Sequence, residues 1–541
     1  MKLKILNKFI VTISYLAMAA ILIHVRAAGQ DYITATVAQK GDADLAAFDN
    51  PTTLAIAPDG RLFVGQSNGL IRALTLDGIH VTSVQTINVI YNRGSAPGVP
   101  GRLVTGIAFG PVGDLFVSHS DVRIYNTDIV TNSGTVTRVY ASTGFTAYMD
   151  IVTGLPRSKA DHAPNGLAFG PDGALYLAIG GFTNAGRPSD FFKFGDEQPY
   201  SSAILRIDIG TGAYTRYATG FRNPYDLVWH SNGNLYATDN GANDGAGNTT
   251  NSSCGEGSNP ESTPDELNRI ISGKYYGHPN PARGECIFNS GTNYTAPIAT
   301  FGASVDGIAA YTSSRVPSFQ GNLFAVNFNS GEVYRIQLSP SGASVSSSTT
   351  YASGFNQPLD LAISSDGRIY VAEFGGNKIK VILPTAIFRS YNNYYVVAEF
   401  GGGDEVNANR AVIGPWEKFA IIDINGGSLQ SGDPVYLLTA DGTHYVVAES
   451  GGAPEGTPPP SGRVYANRLV GGPWETFIIR KADGSGGAIT NNTQISLQSY
   501  NGYYVVAENG GAAEGSTPPA GQVFANRVAV GPWETFTLLL P

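Results

Sequence analysis

One short pattern recurs through most of this 541-residue chain. It consists of an apolar strand, a turn built on Gly-Pro-Asp-Gly or a close variant, and a second apolar strand. A tight hairpin turn needs positive φ, which Gly and Asn adopt readily, so each copy predicts an antiparallel β-hairpin. The clear copies are Leu54–Gly65, Ile107–Ser118, Leu167–Ala178, Leu227–Thr238 and Leu361–Ala372, and a weaker copy spans Asp306–Val326.

The spacing of these hairpins predicts the architecture of residues 29–384. Successive turn glycines lie far enough apart for one four-stranded blade each, with loop insertions. Closing six such blades into a ring protects the sheet edges and leaves a central channel, whose loop-lined mouth is the usual place for a ligand. The sequence therefore predicts an all-β, six-bladed β-propeller. Its turn glycines are Gly60, Gly113, Gly173, Gly233, Gly321 and Gly367.

A different unit recurs three times after Pro384. Tyr-Val-Val-Ala-Glu, Ala-Asn-Arg and Gly-Pro-Trp-Glu each appear once per unit, at 395–399, 408–410 and 414–417 in the first copy. Three β-rich units of this kind predict a β-trefoil over residues 385–541, a module that binds glycans or other proteins. The repeated tryptophans either pack each repeat or offer faces for stacking on sugars. They are Trp416, Trp474 and Trp533.

The composition agrees with an all-β protein and argues against a nucleic-acid partner. The chain has 67 Gly, 31 Pro and only three Met, which indicates many turns and few long helices. Its formal net charge of -9 offers no basic surface for a polyanion. Small neutral ligands or cations fit this charge better.

The N-terminus has the features of an export signal. Lys2, Lys4 and Lys8 precede an apolar run from 9 to 23, and small residues follow at a cleavage-like spacing. Residues 1–28 are therefore predicted to be a signal peptide, the alternative being an uncleaved N-terminal anchor. Cleavage would leave a secreted or periplasmic protein without stable membrane insertion.

Cys254 and Cys286 are the only cysteines in the chain. In an exported protein a lone pair is most simply one disulfide, here closing a loop of about 30 residues. The alternative, a metal or redox pair, has no neighbouring His or Cys at ligand spacing.

The first polar stretch of the predicted propeller runs from Ser158 to Gly166 and contains Asp161 next to His162. A His beside an Asp, on a loop that enters a strand, can lie at the channel mouth as a general base near neutral pH. The alternative is a surface His in an ordinary loop between blades.

The second polar stretch combines residues 220–224, 238–244 and 264–268. Carboxylates, amides and a turn with Gly supply the hard oxygen ligands that calcium prefers, backbone carbonyls included. The stretch predicts a calcium site or, alternatively, a solvated acidic loop. Cys254 lies in the insertion between Gly241 and Asp265, so the disulfide would brace the loop that presents these ligands.

These motifs, taken in order, resemble those of the glucose/sorbosone dehydrogenases. The set comprises Asp-His before Gly-Pro-Asp-Gly, Gly-Phe-Arg-Asn-Pro at 220–224, Asp-Asn-Gly at 239–241, Pro-Asp-Glu-Leu-Asn-Arg at 264–269 and Tyr-Gly-His-Pro at 276–279. The resemblance covers residues 45–384. The repeats of the C-terminal segment resemble fascin-like trefoils.

The family resemblance implies oxidation of a sugar, or of a related alcohol or aldehyde, with pyrroloquinoline quinone (PQQ) and calcium. His162 would be the general base that takes the hydroxyl proton, and Asp161 would orient it. Arg222 would stabilise negative charge on the quinone, and Asn223 would hold the cofactor.

By the same resemblance, the backbone carbonyls of Gly241 and Ala242 would bind a calcium ion that bridges to PQQ. Asp265 and Glu266 would serve a nearby or second calcium site. The substrate would be a small sugar.

The chain departs from the family pattern at several positions. A Lys and two Arg of the last blades hold the PQQ carboxylates in the soluble glucose dehydrogenases, and the matching positions here are Asn329, Gln357 and Leu359. Gly181 stands at a position where members of the family usually have an acidic residue. Two alternatives therefore stay open: a non-catalytic propeller and trefoil that bind carbohydrate or protein, and a calcium-dependent lactonase or hydrolase.

Overall fold

The computed structural model describes residues 31–45, 48–291 and 293–541. The predicted signal peptide, residues 1–28, lies outside this described part. Among the described residues, no helix has both the length and the apolarity that a membrane span requires. Regular structure in these ranges consists of β-strands and short 3-10 helices. The 3-10 helices are Tyr91–Arg93, Ala141–Thr143, Pro281–Arg283, Pro317–Phe319, Glu399–Gly401, Glu449–Gly451, Glu508–Gly510 and Pro532–Glu534.

Five blades are antiparallel sheets of four consecutive strands. The first has β2 (Pro51–Ile56), β3 (Leu62–Gln66), β4 (Ile71–Asp77) and β5 (His80–Ile87). The second has β6 (Leu103–Phe109), β7 (Leu115–Ser120), β8 (Gly134–Val139) and β9 (Tyr148–Leu155). The third has β10 (Pro164–Phe169), β11 (Leu175–Ile179), β12 (Ala203–Ile207) and β13 (Tyr214–Thr219). The fourth has β14 (Pro224–Trp229), β15 (Leu235–Asp239), β16 (Asp265–Ile270) and β17 (Ala299–Phe301). The fifth has β18 (Val305–Ala310), β19 (Leu323–Asn327), β20 (Glu332–Leu338) and β21 (Val345–Ser353).

The sixth blade joins the two ends of the propeller sequence. Its strands are β22 (Pro358–Ile363), β23 (Ile369–Glu373), β24 (Lys378–Pro384) and, as the outer strand, β1 (Tyr32–Gln39). The pairing runs from Tyr32 opposite Pro384 to Gln39 opposite Lys378. An early strand thus completes the last blade, and the predicted six-bladed propeller is confirmed over the described residues.

The predicted hairpin turns form for the expected reason. Gly60 has φ +87° in the turn between β2 and β3, with no atom within 4 Å of the position a Cβ would take. The conformation, and not lack of space, favours Gly there. The strands on either side of each turn bury Leu, Val, Ile and Phe against the adjacent blade.

Buried carboxylates on the inner strands link neighbouring blades. Asp360 accepts a hydrogen bond from the backbone N–H of Leu54 at 2.7 Å, across the junction of the sixth and first blades. Asp226 accepts one from Ile308 at 3.1 Å, between the fourth and fifth blades. Burial raises the pKa of Asp360 to about 7. These side chains therefore stabilise the ring.

Strand direction places the predicted site residues at one end of the channel. In an antiparallel blade, the start of the first strand, the end of the second and the start of the third share one edge. His162 and Arg222 precede first strands, Asp239 ends a second strand and Asp265 begins a third. The fold brings these distant motifs to one face.

The C-terminal segment forms a twelve-stranded sheet with threefold internal repetition. Six strands pair around a ring, closed by the backbone bridge of Ala386 with Phe419, and three hairpins extend from it. The ring strands are β25 (Ile387–Arg389), β28 (Phe419–Asp423), β29 (Pro434–Thr439), β32 (Phe477–Lys481), β33 (Gln494–Gln498) and β36 (Phe536–Leu539). The hairpins are β26 (Tyr395–Ala398) with β27 (Val406–Arg410), β30 (Tyr445–Ala448) with β31 (Val464–Arg468), and β34 (Tyr504–Ala507) with β35 (Val523–Arg527).

The C-terminal sheet packs on the end of the propeller opposite the predicted site. Arg368, in the turn between β22 and β23, donates to the carbonyl oxygens of Gly78 and Asp423. Ile422 and Tyr436 belong to the same apolar core as the sixth blade. The C-terminal sheet therefore leaves the channel mouth open.

Ring closure by β1 can be tested by removing one buried side chain from it. Ile33 is 1% exposed. We expect Ile33→Ala to lower the free energy of unfolding by about 2–5 kcal/mol, measured in urea, because it leaves a cavity between the first and last strands of the propeller. Thr36→Ala, at an exposed position of the same strand, should change stability by less than about 0.5 kcal/mol. If both variants lowered the free energy of unfolding equally, ring closure through β1 would be contradicted.

Candidate active site

His162 lies two residues before β10, at the mouth of the channel. Its side chain is only 2% exposed. Nδ1 lies 2.9 Å from the carbonyl oxygen of Gly181, which can only accept, so Nδ1 carries the proton of the neutral ring. Nε2 then holds a lone pair, for which the described residues provide no hydrogen-bond partner.

Arg157 fixes the loop that carries His162. Its buried guanidinium donates to the carbonyl oxygens of Ser158, Ala160 and His162 at 2.7, 2.8 and 2.9 Å. Since these bonds end on the backbone of one short loop, they hold it in a single conformation. Sequence reasoning did not single out Arg157.

The protonation state of His162 follows from its surroundings. Burial opposes the charged imidazolium, and the nearby Arg222 guanidinium opposes it further, so the pKa of His162 falls to about 3. The ring is therefore neutral near pH 7 and can accept a proton at Nε2.

Asp161 lies beside the open nitrogen of His162. One carboxylate oxygen is 3.9 Å from Nε2, and the side chain is half exposed. The hydrogen bond that orients the ring is instead the one that Nδ1–H donates to the carbonyl oxygen of Gly181. Asp161 is thus placed to attract an imidazolium at Nε2 by its charge.

Arg222 and Asn223 lead into the fourth blade. Their backbone N–H groups donate to the two carboxylate oxygens of Asp239, at 3.1 and 2.7 Å. The Arg222 Nε donates to Oδ1 of Asn184 at 3.2 Å. Its two terminal nitrogens make no hydrogen bond or ion pair with the described residues. A buried cation is therefore available to an anionic ligand.

The ring of Phe192 brings His162 and Arg222 together. It is 4.9 Å from the imidazole of His162, edge to face, and 5.8 Å from the guanidinium carbon of Arg222. Phe192 itself is fully buried. His162 and Arg222 thus share one apolar wall, which excludes water and strengthens their electrostatic effects.

Asp265 holds the loop after β15. Its carboxylate accepts hydrogen bonds from the backbone N–H groups of Gly241 and Val305, at 2.8 and 2.7 Å, and from Nδ2 of Asn240 at 2.9 Å. Both oxygens are therefore engaged with protein donors. The geometry gives Asp265 a role in shaping the loop.

The other three residues predicted to serve calcium lie close by. A Cβ at Gly241 would stand 2.3 Å from the carbonyl oxygen of Thr263, so only Gly fits this close approach. The carbonyl of Ala242 accepts from the backbone N–H of Thr263 at 2.9 Å. Glu266 accepts one hydrogen bond from Asn268 at 3.0 Å, and burial raises its pKa to about 7.

Glu197 is a buried carboxylate near the predicted site that sequence reasoning did not single out. Its buried carboxylate accepts from the backbone N–H groups of Phe182 and Thr183, at 2.9 and 3.0 Å, and pairs with Nε2 of His278 at 3.0 Å. Despite the opposing effect of burial, these partners lower the pKa of Glu197 to about 2.

The position of Glu197 explains why residue 181 is Gly. A Cβ on Gly181 would lie 2.9 Å from Oε1 of Glu197 and 3.1 Å from Nε2 of His278. The pair fills the volume that an acidic side chain at 181 would need. His278 was visible in the Tyr-Gly-His-Pro motif, whereas no sequence signal marks Glu197.

The predicted disulfide between Cys254 and Cys286 is present. It joins the insertion after β15 to the loop after β16, beside the segment with Gly241 and Ala242. Within the described residues, no cluster of three or more His, Cys, Asp or Glu is arranged to hold a metal ion.

The three positions that match the cations of the soluble glucose dehydrogenases carry no positive charge in this chain. Asn329 and Gln357 are exposed, and Leu359 is partly buried. Arg222 is the cation that shares the Phe192 ring with the imidazole of His162.

Comparison with known proteins identifies relatives of the propeller. The family model described as Glucose / Sorbosone dehydrogenase matches residues 48–379. Quinoprotein glucose dehydrogenase B of Acinetobacter calcoaceticus is 26% identical over 274 residues, which cover 44% of this chain and 52% of the relative. The chain thus spans about half the length of the curated relative that it matches.

Solved structures of similar shape were also found. One is the soluble aldose sugar dehydrogenase of Escherichia coli in its apo form, with 17% identity and a TM-score of 0.48, covering 65% of this chain and 99% of that one. Another is the PQQ-bound aldose sugar dehydrogenase of Streptomyces coelicolor, with 18% identity and a TM-score of 0.45, covering 66% and 99%.

The acid sensitivity of the protein should depend on His162. Below about pH 6.5 the unfolded chain protonates this imidazole, whereas the folded chain keeps it neutral down to a pKa of about 3. Stability is therefore lost as the pH falls through this window, by about 1.4 kcal/mol per pH unit. Between pH 7.5 and pH 4.5, the free energy of unfolding measured in urea should fall by about 2–3 kcal/mol less in His162→Asn than in wild type. The same loss in both proteins would argue against a neutral buried ring.

Proposed function

This chain belongs to the glucose/sorbosone dehydrogenase family, and on that premise we propose that its propeller oxidises a sugar, or a related alcohol or aldehyde, with PQQ and calcium. One observation carries the proposal. A neutral His162, with Nε2 open, lies at the channel mouth against the same aromatic ring as an unpaired, buried Arg222. A base next to a cation suits removal of a proton and hydride from one alcohol group.

The residues fit PQQ at the end where oxidation would occur. The terminal nitrogens of Arg222, left without protein partners, suit an anionic or carbonyl oxygen of the cofactor. Asn223 would hold the cofactor beside Arg222; its Nδ2 donates to Asn240 at 2.8 Å. At the far end, Asn329 and Gln357 offer neutral amide donors where relatives have cations.

His162 would accept the hydroxyl proton of the substrate at Nε2. Nδ1 keeps its proton and its hydrogen bond to the carbonyl oxygen of Gly181 throughout, so the ring needs no rotation. The imidazolium formed in this step is stabilised by Asp161, 3.9 Å from Nε2. When bound, PQQ supplies the two-electron acceptor for the hydride that leaves the same carbon.

Arg222 would stabilise the negative charge that develops on the acceptor. Because it is buried against Phe192, its charge is little screened by water. Its backbone is fixed by Asp239, so little reorganisation is needed during the reaction.

Calcium would be held by the backbone carbonyls of Gly241 and Ala242, hard oxygen donors of the kind this ion prefers. Their peptide planes are fixed by the N–H of Ala242, which donates to Oγ1 of Thr263 at 2.7 Å, and by the N–H of Asn243, which donates to Oδ1 of Asn184 at 2.9 Å. Glu266 is the nearby carboxylate for this or a second calcium ion. Calcium supplies Lewis acidity to the cofactor when bound.

We further propose that residues 385–541 form a fascin-like β-trefoil that binds a glycan or a protein. A closed six-stranded ring with three hairpins and threefold sequence repeats supports this assignment. The repeated tryptophans are 39–43% exposed, and Trp416 packs beside Gly401, a contact that also gives it a structural role.

We also propose that the mature protein acts outside the cytosol, secreted or in the periplasm. The Cys254–Cys286 disulfide supports an oxidising compartment.

Reconstitution tests the proposed oxidation directly. Mature protein loaded with PQQ and calcium should reduce an electron-accepting dye when given aldoses, and His162→Gln should lower kcat at least about 100-fold because the base is lost. His230→Gln, at the opposite end of β14, is the matched control and should keep wild-type turnover. No PQQ binding and no turnover would favour the non-catalytic alternative, to which the neutral last-blade positions point.

Glu197 should act as a positioning residue. We expect Glu197→Gln to lower kcat about tenfold with little change in KM, because loss of the His278 pair loosens the segment whose Gly181 carbonyl orients His162. The pH profile of kcat should shift too, which a purely structural defect would not cause. Glu332→Gln, a carboxylate on β20, the third strand of the fifth blade, is the control. An unchanged kcat and pH profile would rule out the positioning role.

A further inference from the structure

The three repeats of the C-terminal sheet meet at three junctions of the same construction. At each junction, the loop before one hairpin donates a backbone N–H to a glycine carbonyl in the hairpin of the preceding repeat, at 2.8–3.3 Å. The repeated tryptophan lies against that glycine, 3.1–3.2 Å from the position a Cβ would take. Junction A contains Asn392, Gly510 and Trp533; junction B contains Asn501, Gly451 and Trp474; junction C contains Asp441, Gly401 and Trp416.

Junction C touches the propeller and differs from the other two. A Cβ on Gly442, in the junction loop, would stand 2.1 Å from the carbonyl oxygen of Thr34 in β1. The same loop carries only the small side chain of Ala440. Phe400 packs beside the ring of Trp416, with centroids 5.8 Å apart. Junction C therefore offers a ligand little aromatic surface on its loop, and its tryptophan already has an aromatic neighbour.

The loops of junctions A and B face solvent and carry a tyrosine where junction C has alanine. Tyr391 and Tyr500 are 61% and 63% exposed. Each directly precedes the junction asparagine, whose side-chain amide donates to two backbone carbonyls of the facing hairpin at 2.7–3.1 Å. Ser450 and Asn509 stand where junction C has Phe400. The backbone beside each tyrosine is thus fixed, while the phenol ring stays exposed.

The contrast between the junctions separates residues that build the fold from residues available to a ligand. Tryptophan is present at all three junctions, whether or not the propeller is in contact, so its packing on the junction glycine accounts for it. The tyrosine is present only at the two junctions that face solvent, where an exposed ring adds little to stability. Its recurrence at equivalent positions therefore points to binding.

We propose that junctions A and B are two equivalent binding sites for a neutral polysaccharide of β-linked pyranose rings, such as a glucan, xylan or mannan. This inference rests on the proposed binding function of the trefoil, for which it names the ligand and the sites. The flat C–H faces of such rings pack on exposed aromatic side chains, here Tyr391 and Tyr500. Hydroxyl groups of the sugar hydrogen-bond to the exposed amides and carbonyls of the same loops.

The charges at the two junctions favour an uncharged ligand. Arg527, at junction A, pairs with Glu508 at 2.9 Å. Arg468, at junction B, pairs with Glu449 at 2.7 Å. Because these guanidinium groups are neutralised by carboxylates of their own repeats, they do not attract an acidic polymer. A protein is also disfavoured, since one tyrosine and one tryptophan offer far less surface than the roughly 800 Å² per partner of a stable protein interface.

Two sites on one chain suit a polymer better than a small sugar. Once a polysaccharide is bound at one junction, its binding at the other is intramolecular, which raises the apparent affinity without any new contact. The C-terminal sheet lies at the end of the propeller opposite the channel mouth. The protein can therefore be held on a polysaccharide while the channel stays open to a soluble sugar.

Affinity gel electrophoresis of the full mature protein tests the proposal without PQQ. Wild type should be retarded by at least one of mixed-linkage β-glucan, xylan and glucomannan. We expect Tyr391→Ala and Tyr500→Ala each to raise the Kd about three- to tenfold, the loss of one aromatic contact, and the double variant to abolish retardation. Tyr391→Phe should bind like wild type. Phe400→Ala is the matched control, because it removes an exposed ring, 71% accessible, from junction C.

Calorimetry with a tetrasaccharide of the retarding polymer counts the sites. The number bound per chain should fall by one in each single variant and by two in the double variant. A fall of only one in the double variant would overturn the equivalence of the junctions. Retardation that survives both substitutions would overturn the sites and leave glycan binding by the trefoil standing. No retardation of wild type by any of the three polymers would overturn the polysaccharide and leave a protein as the trefoil's ligand.

Discussion

Pairing of β1 with β24 is the contact on which the rest of the molecule depends. It joins the start of the propeller to its end and removes the exposed sheet edges that an open ring would carry. The inner strands can then meet around the channel, where Asp360 and Asp226 link adjacent blades. In the closed ring, loops from the third and fourth blades face the same space.

The chemistry of the channel mouth comes from backbone groups as much as from side chains. The carbonyl of Gly181 sets the tautomer of His162, and the backbone N–H groups of Arg222 and Asn223 are fixed on Asp239. Burial keeps the imidazole neutral and leaves the guanidinium weakly screened. A neutral base and an unshielded cation are thereby held against one apolar ring, Phe192, which suits the family's oxidation chemistry.

The repeated hairpins made the propeller predictable, because a turn such as Gly60 needs a conformation that few residues adopt. The pairing of Cys254 with Cys286 followed from their number. Glu197 could not be found in this way, since only the fold brings His278, 81 residues along the chain, to its carboxylate. The orientation of His162 by Gly181 was also invisible, because a backbone carbonyl leaves no mark in the residue type.

The most direct measurement is the rate at which an aldose deuterated at C1 reduces the PQQ-loaded protein in a stopped-flow instrument. If His162 removes the hydroxyl proton while hydride leaves C1, wild type should react several-fold more slowly with the deuterated sugar, and His162→Gln should show almost no reduction. Reduction of the His162→Gln protein at the wild-type rate, or the absence of reduction by any aldose despite bound PQQ, would contradict the account.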